Sequence, residues 1–293
     1  MKPAPFNYVC ARSLDEAITH LSQAGDEVLI LAGGQTLVPM LAMRLARPSV
    51  VIDINRIDSL FGIAQTDEGL QINTCTRQNH ALKFLIESDE ASLLAKALPY
   101  VGHHQTRNRG TVGGSLAHGD PASELPLIAV ALDAEMTLRS PTQTRKVVAS
   151  EFYTGPMTTS RQFDECLTKV VFPAWDPSEK VGCGFQEVSQ RHGDYAIVAA
   201  AAQVLLNSSG VCKRVAISVG GASGVPVRLR AAEEILTSNV VTTELIGDAL
   251  GDMASALDPA TDQQASAAYR RRVSRVLVER VILEAINAAG GNL

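Results

Sequence analysis

Two glycine-containing loops are the segments of this sequence whose residue types and spacing are best suited to chemistry. The first lies in "ILAGGQTLVPML", residues 30–41, where an apolar run is followed by Gly33 and Gly34 and then by a second apolar run. This pattern predicts a strand, a turn and a helix, with Thr36 as the helix cap and Pro39 in the first turn. Glycines let successive backbone N–H groups turn toward one point, which suits an anionic oxygen. A Gly-Gly pair in this position is also typical of a tight turn without a ligand.

A second loop of the same character occupies residues 108–126, "NRGTVGGSLAHGDPASELP". Its glycines precede small polar residues, and Asp120 with Pro121 predicts the start of a helix. Two anion-binding loops suggest two linked phosphates. Neither loop contains a lysine, and no carboxylate cluster stands out as a magnesium site. The sequence therefore predicts a dinucleotide that is bound rather than a phosphate that is transferred.

Ser123 and Glu124 follow the second loop after a short helical step. A carboxylate there is suited to accept hydrogen bonds from sugar or ribityl hydroxyls, and a helix cap is the alternative interpretation of Glu124. The dinucleotide fingerprint G-x-G-x-x-G and the Walker loop are both absent. No Ser-His-Asp, Cys-His or paired-carboxylate pattern is evident, so we predict no catalytic side chain and assign the chemistry to a cofactor.

The elements that must position these loops predict an α+β fold in three parts: residues 1–57, 58–175 and 176–293. Two prolines with charged residues in "PAWDPSEK", residues 173–180, mark the second boundary. Ser13 and Gly25 bound a first predicted helix. Further helices are predicted at 38–47, 230–238 and 267–286, and strands at 27–34, 48–57, 69–75, 134–140, 166–172, 196–206 and 212–221.

Composition excludes several classes of function. With 26 basic and 31 acidic side chains, the chain has no general attraction for nucleic acid or anionic lipid. Its five cysteines are scattered without a C-x-x-C pair, which argues against a disulfide framework, structural zinc or an iron–sulfur cluster held by this chain. They indicate reduced thiols in the cytoplasm. No signal segment or membrane span is predicted.

The segments "LAGGQTLVPML" and "GHHQTRNRGTVGGSLAHGDPASELP" resemble the two FAD loops of a known family. This family is the FAD-carrying medium subunit of the molybdenum hydroxylases, such as aerobic carbon monoxide dehydrogenase, bacterial N-heterocycle dehydrogenases and the flavin domain of xanthine dehydrogenase. The resemblance covers nearly the whole chain. It implies a two-part FAD-binding domain of the PCMH (vanillyl-alcohol oxidase-like) type. A C-terminal α+β domain with a small antiparallel sheet and helices would follow.

The resemblance also implies which residues contact FAD. The first loop and the second would grip the diphosphate, Ser123 and Glu124 would lie toward the ribityl or adenosine side, and Asp194 and Tyr195 near the isoalloxazine. Two apolar residues would complete the site. The implied cofactor-binding residues are Leu31, Ala32, Gly33, Gly34, Gln35, Thr36, Leu37, Val101, Gly110, Thr111, Val112, Gly113, Gly114, Ser115, Ser123, Glu124, Leu167, Asp194 and Tyr195.

The function implied by the resemblance is electron transfer. A partner large subunit with molybdopterin would hydroxylate the substrate, a small subunit would pass electrons through two [2Fe–2S] clusters, and the noncovalent FAD of this chain would deliver them to an external acceptor. The assembly implied is a dimer of heterotrimers. A self-contained flavoenzyme of the vanillyl-alcohol oxidase type is the alternative, although the C-terminal part offers no acid–base constellation. A module that has lost its flavin is a third hypothesis, which the two intact glycine loops oppose.

Several residues allow two interpretations. His103, His104 and His118 could serve a metal ion or a covalent flavin link, but no opposing Cys, Asp or Glu set accompanies them. Arg107 and Arg109 could steady phosphates, and pairing with surface acids is the favoured interpretation.

Two further sets are interpreted structurally by default. The run Arg270–Arg272 is predicted to be a solvated helix face, with a docking surface as the alternative. Phe185 and Tyr153 are predicted to be core residues, with a flavin contact as the alternative, as for Tyr195. Ile197 stands where the xanthine enzymes of the resembled family carry a lysine, so their flavin potential is not carried over.

Overall fold

The N-terminal part of the chain is a three-stranded parallel sheet in the order β1-β3-β2, with one long helix packed against it. The structure is a computed structural model that describes residues 2–88, 92–176 and 178–291. Its elements are β1 (Asn7–Cys10), α1 (Leu14–Ala24), β2 (Val28–Leu31), α2 (Leu37–Ala42) and β3 (Val50–Asp53). The Ser13 hydroxyl accepts from the Glu16 N–H and caps α1, as the sequence predicts.

The middle part contains a five-stranded antiparallel sheet in the order β4-β5-β10-β6-β7. Helices between these strands carry the second glycine loop. The elements are β4 (Ile63–Thr66), β5 (Gly69–Asn73), α3 (Gln78–Glu87), α4 (Leu93–Ala97), α5 (His104–Arg109), α6 (Val112–His118), α7 (Glu124–Ala131), β6 (Glu135–Arg139), β7 (Thr144–Val148), α8 (Ala149–Phe152), β8 (Tyr153–Gly155), β9 (Thr158–Thr159) and β10 (Cys166–Pro173).

The C-terminal part is a four-stranded antiparallel sheet in the order β11-β12-β13-β14 with three helices. All nine residues of β12 are buried, because α7 covers one face of this sheet and α9 and α11 cover the other. That double coverage explains the alanine-rich, continuously apolar sequence of the strand. The elements are β11 (Lys180–Val188), β12 (Val198–Leu206), β13 (Cys212–Gly220), β14 (Val227–Arg228), α9 (Arg230–Leu236), α10 (Thr243–Ala249) and α11 (Ala267–Ala288).

Three of the sequence-based predictions need correction. The helix predicted at 38–47 ends at Ala42. The strand β11 was not predicted, whereas the predicted linker 173–180 is the connection between β10 and β11, sharing only its end residues with these strands, and Pro177 lies outside the described residues. Arg270 is buried, not solvated, since its guanidinium donates to the carbonyls of Ile197 and Gly221 and pairs with Asp262.

The division at residues 57 and 175 stays a prediction. The buried apolar residues form three clusters, and the one in the middle part also contains Cys183, Phe185 and Ala199 of the C-terminal part. The α+β class itself is evident from the sheets and helices. None of the described helices combines the length and apolarity needed to cross a membrane.

Candidate functional site

A cavity of about 560 Å³ lies where the two glycine loops meet. This volume is in the range of small-molecule sites. Gly33 belongs to the first loop, and a Cβ atom added to it would lie 2.6 Å from the Arg109 carbonyl oxygen and 2.8 Å from Gly110 Cα. The backbones of the two loops are therefore in direct contact, and only glycine permits it at this position.

The first loop presents a row of unused backbone donors. None of the five N–H groups from Gly33 to Leu37 donates a hydrogen bond to another residue that the structure describes. Gly34 has φ of +71°, which turns the chain between β2 and α2. Thr36 adopts helical angles, and its side chain caps no N–H group among the described residues, so the predicted cap is wrong. The uncapped N–H groups of the first loop favour a bound ligand, because free N–H groups at a helix start attract anions.

The second loop differs from the prediction in its hydrogen bonds. The N–H groups of Val112 and Gly113 donate to the carbonyls of Thr76 and Thr74, and those of Gly114 and Ser115 donate to the Thr111 side chain and carbonyl. These N–H groups are consumed within the protein, so the predicted second backbone cradle is not formed by them. A Cβ atom on Gly113 would lie 1.6 Å from the Thr74 hydroxyl oxygen, which makes close packing the reason for this glycine.

Two polar residues that the sequence did not single out hold the loops together. Asn55 Nδ2 donates to the Ala32 carbonyl at 2.6 Å, and Arg77 donates to Asn55 Oδ1 at 2.7 Å. The other Arg77 nitrogen, Nη1, donates to the Arg109 carbonyl at 2.6 Å. One chain of hydrogen bonds thus runs from the first loop to the second. We refer to Asn55 and Arg77 as the loop brace.

One wall of the cavity is acidic. Glu124 is the first residue of α7 and is only 3% exposed. Burial, with the charge of Asp120 as a smaller cause, raises the pKa of its carboxyl to about 7. Behind it on β11, burial and the Glu124 charge raise the pKa of Glu187 to about 8. Ser123, which precedes α7, caps no N–H group through its side chain. The backbone N–H of Glu124 itself donates to the Glu124 carboxyl, which opposes part of the rise in its pKa.

A loop between β11 and β12 closes another side of the cavity. Gly193, Asp194 and Tyr195 line the wall, and a Cβ atom on Gly193 would lie 2.8 Å from His103 Cε1. Tyr195 remains 48% exposed, so one edge of the cavity is open to solvent.

Most of the residues implied by the resemblance come together around this cavity. All of them line the wall except Leu31, which ends β2, and Val112, which is fully buried at the start of α6. The additional lining residues come from strands, helices and the turns between them, and the sequence alone did not show that these separate elements meet at one cavity. These residues are Leu29, Ile30, Met40, Ile54, Thr74, Gln78, Gly102, Thr106, Ala117, His118, Met157, Arg161, Cys166 and Gly193.

The ambiguous arginines and aromatic residues are also located. Arg107 Nη1 donates to the carbonyls of Pro99, Val101 and Gly102, so it shapes the chain beside the cavity, and it pairs with no acid that the structure describes. Phe185 is buried with its ring centroid 4.9 Å from that of Tyr100.

The structure also shows the positions of the remaining ambiguous residues, which are Tyr153, Arg109 and three histidines. Tyr153 is buried in the core, and the Arg109 side chain is exposed. His103 and His104 are exposed, whereas His118 lines the cavity. Within the described ranges, no group of three His, Cys, Asp or Glu side chains is arranged to hold a metal ion.

The fold and the cavity define an α+β protein with a site for an anionic ligand, and comparison with known proteins identifies its family. Residues 4–175 match the FAD binding domain in molybdopterin dehydrogenase, and residues 184–285 match the CO dehydrogenase flavoprotein C-terminal domain. The chain belongs to the FAD-carrying medium subunits of the molybdenum hydroxylase family. It is therefore an FAD-binding oxidoreductase subunit, and the family, the fold class and the cofactor predicted from the sequence are confirmed.

Individual relatives show the extent of the similarity. The chain is 38% identical over 289 residues to the 6-hydroxypseudooxynicotine dehydrogenase complex subunit alpha of Paenarthrobacter nicotinovorans, covering 99% of this chain and 97% of the relative. A chain of carbon monoxide dehydrogenase from Hydrogenophaga pseudoflava superposes with a TM-score of 0.93 at 30% identity, covering 98% of this chain and 99% of that one. A chain of quinoline 2-oxidoreductase from Pseudomonas putida 86 gives 0.90 at 32% identity, with 99% of each chain covered.

Proposed function

We propose that this chain takes electrons from [2Fe–2S] clusters on a small partner subunit and passes them through FAD to an external acceptor. In this proposal, a large molybdopterin-containing subunit hydroxylates the substrate. The observation that carries it is the row of free N–H groups from Gly33 to Leu37 in the cavity wall, within a chain that is similar over nearly its whole length to subunits of dehydrogenase complexes. The isoalloxazine of FAD, when bound, supplies the electron-accepting and electron-releasing chemistry.

The described residues fit this cofactor. The free N–H groups of the first loop would donate to pyrophosphate oxygens, which compensates for the absence of lysine in both loops. Gln78 also contributes to the wall, with its Nε2 donating to the Thr111 carbonyl and its Oε1 enclosed by protein atoms. The Glu124 carboxyl would accept from ribityl or ribose hydroxyls.

The other predicted residues have roles that follow from their positions. Val101 and Leu167 would give apolar contact, and Asp194 and Tyr195 would flank the isoalloxazine at the solvent-open edge. We assign no catalytic side chain, since the contribution of the protein is binding, orientation and electrostatics. The solvent-exposed edge of the cavity would let an external acceptor approach the isoalloxazine.

The proposal includes a dimer of heterotrimers as the working assembly. All five cysteines are free, and four of them are buried, which agrees with a cytoplasmic protein that carries no cluster of its own. Electrons must therefore reach the flavin from a neighbouring polypeptide.

Co-expression with the genomic neighbours tests this proposal. The purified complex should contain iron, molybdenum and FAD, and the substrate should reduce the flavin only when all three chains are present. Acid precipitation should release the flavin into the supernatant, as expected for noncovalent FAD. Oxidation of an alcohol, amine or hydroxy acid by the isolated chain at about 1 per second or more would contradict the subunit hypothesis. The hypothesis of a self-contained flavoenzyme would then take its place.

A further inference from the structure

Arg161 supplies a positive charge to the cavity wall that neither glycine loop provides. It follows the β8–β9 hairpin, and it is the one arginine or lysine among the described residues that line the cavity. The sequence offered no signal for it, because it lies in a polar segment between two strands. The role of this positive charge in a site for a phosphate-bearing ligand therefore has to be explained.

The hydrogen bonds of Arg161 leave three of its five N–H donors unused among the described residues. Its Nη1 donates to the carbonyls of Gln162 at 2.9 Å and Glu165 at 2.8 Å, which fixes the guanidinium against the chain. Nε and Nη2 donate to no residue that the structure describes, and neither is among the enclosed unpaired atoms. The guanidinium is thus held in place with free N–H groups that a ligand can reach.

The acids near Arg161 do not account for it. The Glu165 carboxylate is engaged by Arg145, at 2.6 Å and 2.8 Å, and only the Glu165 carbonyl binds Arg161. Burial lowers the pKa of Arg161, with smaller opposing effects from Cys166, Glu165 and Asp164. Among residues 2–88, 92–176 and 178–291, no carboxylate pairs with this guanidinium, and a bound polar group would restore the interactions it lost with water.

Arg161 lies in different surroundings from the acidic wall. Cys166 lies close enough to act on its charge, and Leu167 and Met157, which are near Arg161 in sequence, line the same cavity, so this part of the wall has an apolar character. The charges of Asp120 and Glu124 both raise the pKa of Tyr195, and that of Asp120 also raises the pKa of Glu124, but neither is among the groups that act on Arg161. The cavity accordingly has an acidic region beside Tyr195 and a separate region with apolar side chains and one guanidinium.

We infer that Arg161 selects the adenylate half of the dinucleotide and thereby makes the site specific for FAD over FMN. This inference rests on the proposed function, which places the isoalloxazine beside Asp194 and Tyr195. An adenine ring presents flat faces that suit Leu167 and Met157, and its ring nitrogens accept hydrogen bonds from the free Nε and Nη2 donors. FMN has no adenylate group and gains nothing from this guanidinium.

The test compares three ligands on flavin-free protein. We expect Arg161→Met to weaken the binding of FAD and of ADP by roughly 10- to 100-fold, the loss of one or two charge-assisted hydrogen bonds, and to leave FMN affinity within about twofold. Arg161→Lys keeps the charge without the planar fork and should recover only part of the affinity. Arg139→Met removes an exposed arginine outside the cavity wall and serves as the matched control.

The ligand comparison separates recognition from a folding defect. A variant that merely loses the bonds to the Gln162 and Glu165 carbonyls would bind FAD and FMN equally poorly, and that result would overturn the inference, as would unchanged FAD affinity in Arg161→Met. Failure of the wild-type protein to bind FAD would overturn the proposed function as well. Circular dichroism and the unfolding temperature of each variant establish that the affinities refer to folded protein.

Discussion

At the scale of single residues, the carboxyl of Glu187 is held under conditions that favour its neutral form. Both oxygens are enclosed by protein atoms and have no hydrogen-bond partner among the described residues. Burial and the nearby Glu124 charge raise its pKa from 4.5 to about 8. The native state therefore binds this proton more tightly than the unfolded chain does. The stability it contributes is complete below about pH 4.5 and is lost as the pH rises through about 8.

Glu187→Gln should remove this pH dependence, because the amide resembles the protonated acid in shape and cannot ionise. Above pH 8 we expect the variant to exceed the wild type by about 1 kcal/mol in free energy of unfolding, with allowance for solvent screening. Urea unfolding of the flavin-free protein between pH 5 and 9, at intervals of about one unit, measures the difference. Glu234→Gln is the control, since that side chain is exposed. Parallel curves for wild type and Glu187→Gln would contradict the assignment.

At the scale of elements, the loop brace connects two segments that are far apart in sequence. Asn55 follows β3 and Arg77 precedes α3, and together they tie the Ala32 carbonyl to the Arg109 carbonyl. The cavity depends on the relative position of the two loops, so the brace is expected to influence affinity without touching the ligand itself. Neither residue is part of the cavity wall.

Loss of the brace should therefore weaken FAD binding by roughly tenfold, because the loops are no longer held at the distance that binding requires. Arg77→Met and Asn55→Ala should each have this effect, and the double variant should be little worse than either single one. Such a result means a coupling of about 0.5–3 kcal/mol in a double-mutant cycle. Titration of flavin-free protein with FAD measures it, with the neighbouring exposed Arg56→Met as control. Additive losses would show that the two residues act separately.

Local signals predicted the elements well where a strand or helix depends on its own residues. Ser13 caps α1, and the apolar runs at β2, β3, β12 and β13 are strands. The strand β11 was missed because its sequence contains Gly182 and Gly184. A Cβ atom at either position would lie 2.0 Å and 2.2 Å, respectively, from carbonyl oxygens of α11. These glycines allow the helix to approach the strand, and that contact is invisible before the chain is folded.

Prediction of the site was limited in the same way, by contacts between residues distant in sequence. The glycine loops were predicted because glycine spacing is a local signal, but the hydrogen bonds of those loops are set by residues distant in sequence. The Gly113 N–H was expected to face a ligand, yet it donates to the Thr74 carbonyl, about forty positions earlier. Arg161 and the loop brace were not predicted for the same reason. Residue type indicates what a side chain can do, whereas tertiary contacts decide which donors remain free.

At the scale of the whole molecule, the cavity is assembled from all three sheet-containing parts of the chain. Gly33 follows β2 of the first sheet, Leu167 lies on β10 of the second, and Tyr195 lies between β11 and β12 of the third. A ligand that fills the cavity would contact each part. Its binding should stabilise the molecule as one unit and not only the glycine loops.

Addition of FAD should thus raise the unfolding temperature of the flavin-free protein. At a free concentration 100 times the dissociation constant, binding to the native state alone adds about 2.7 kcal/mol, which corresponds to roughly 5–10 °C for a chain of this size. Amide hydrogen exchange should slow in β2, β10 and β12 together, since these elements border the cavity or lead into it. Riboflavin, which lacks the pyrophosphate and the adenylate, is the control and should give a much smaller shift. Protection confined to residues 30–41 would mean that the ligand contacts the first loop alone, and the three-part cavity would then not be the FAD site.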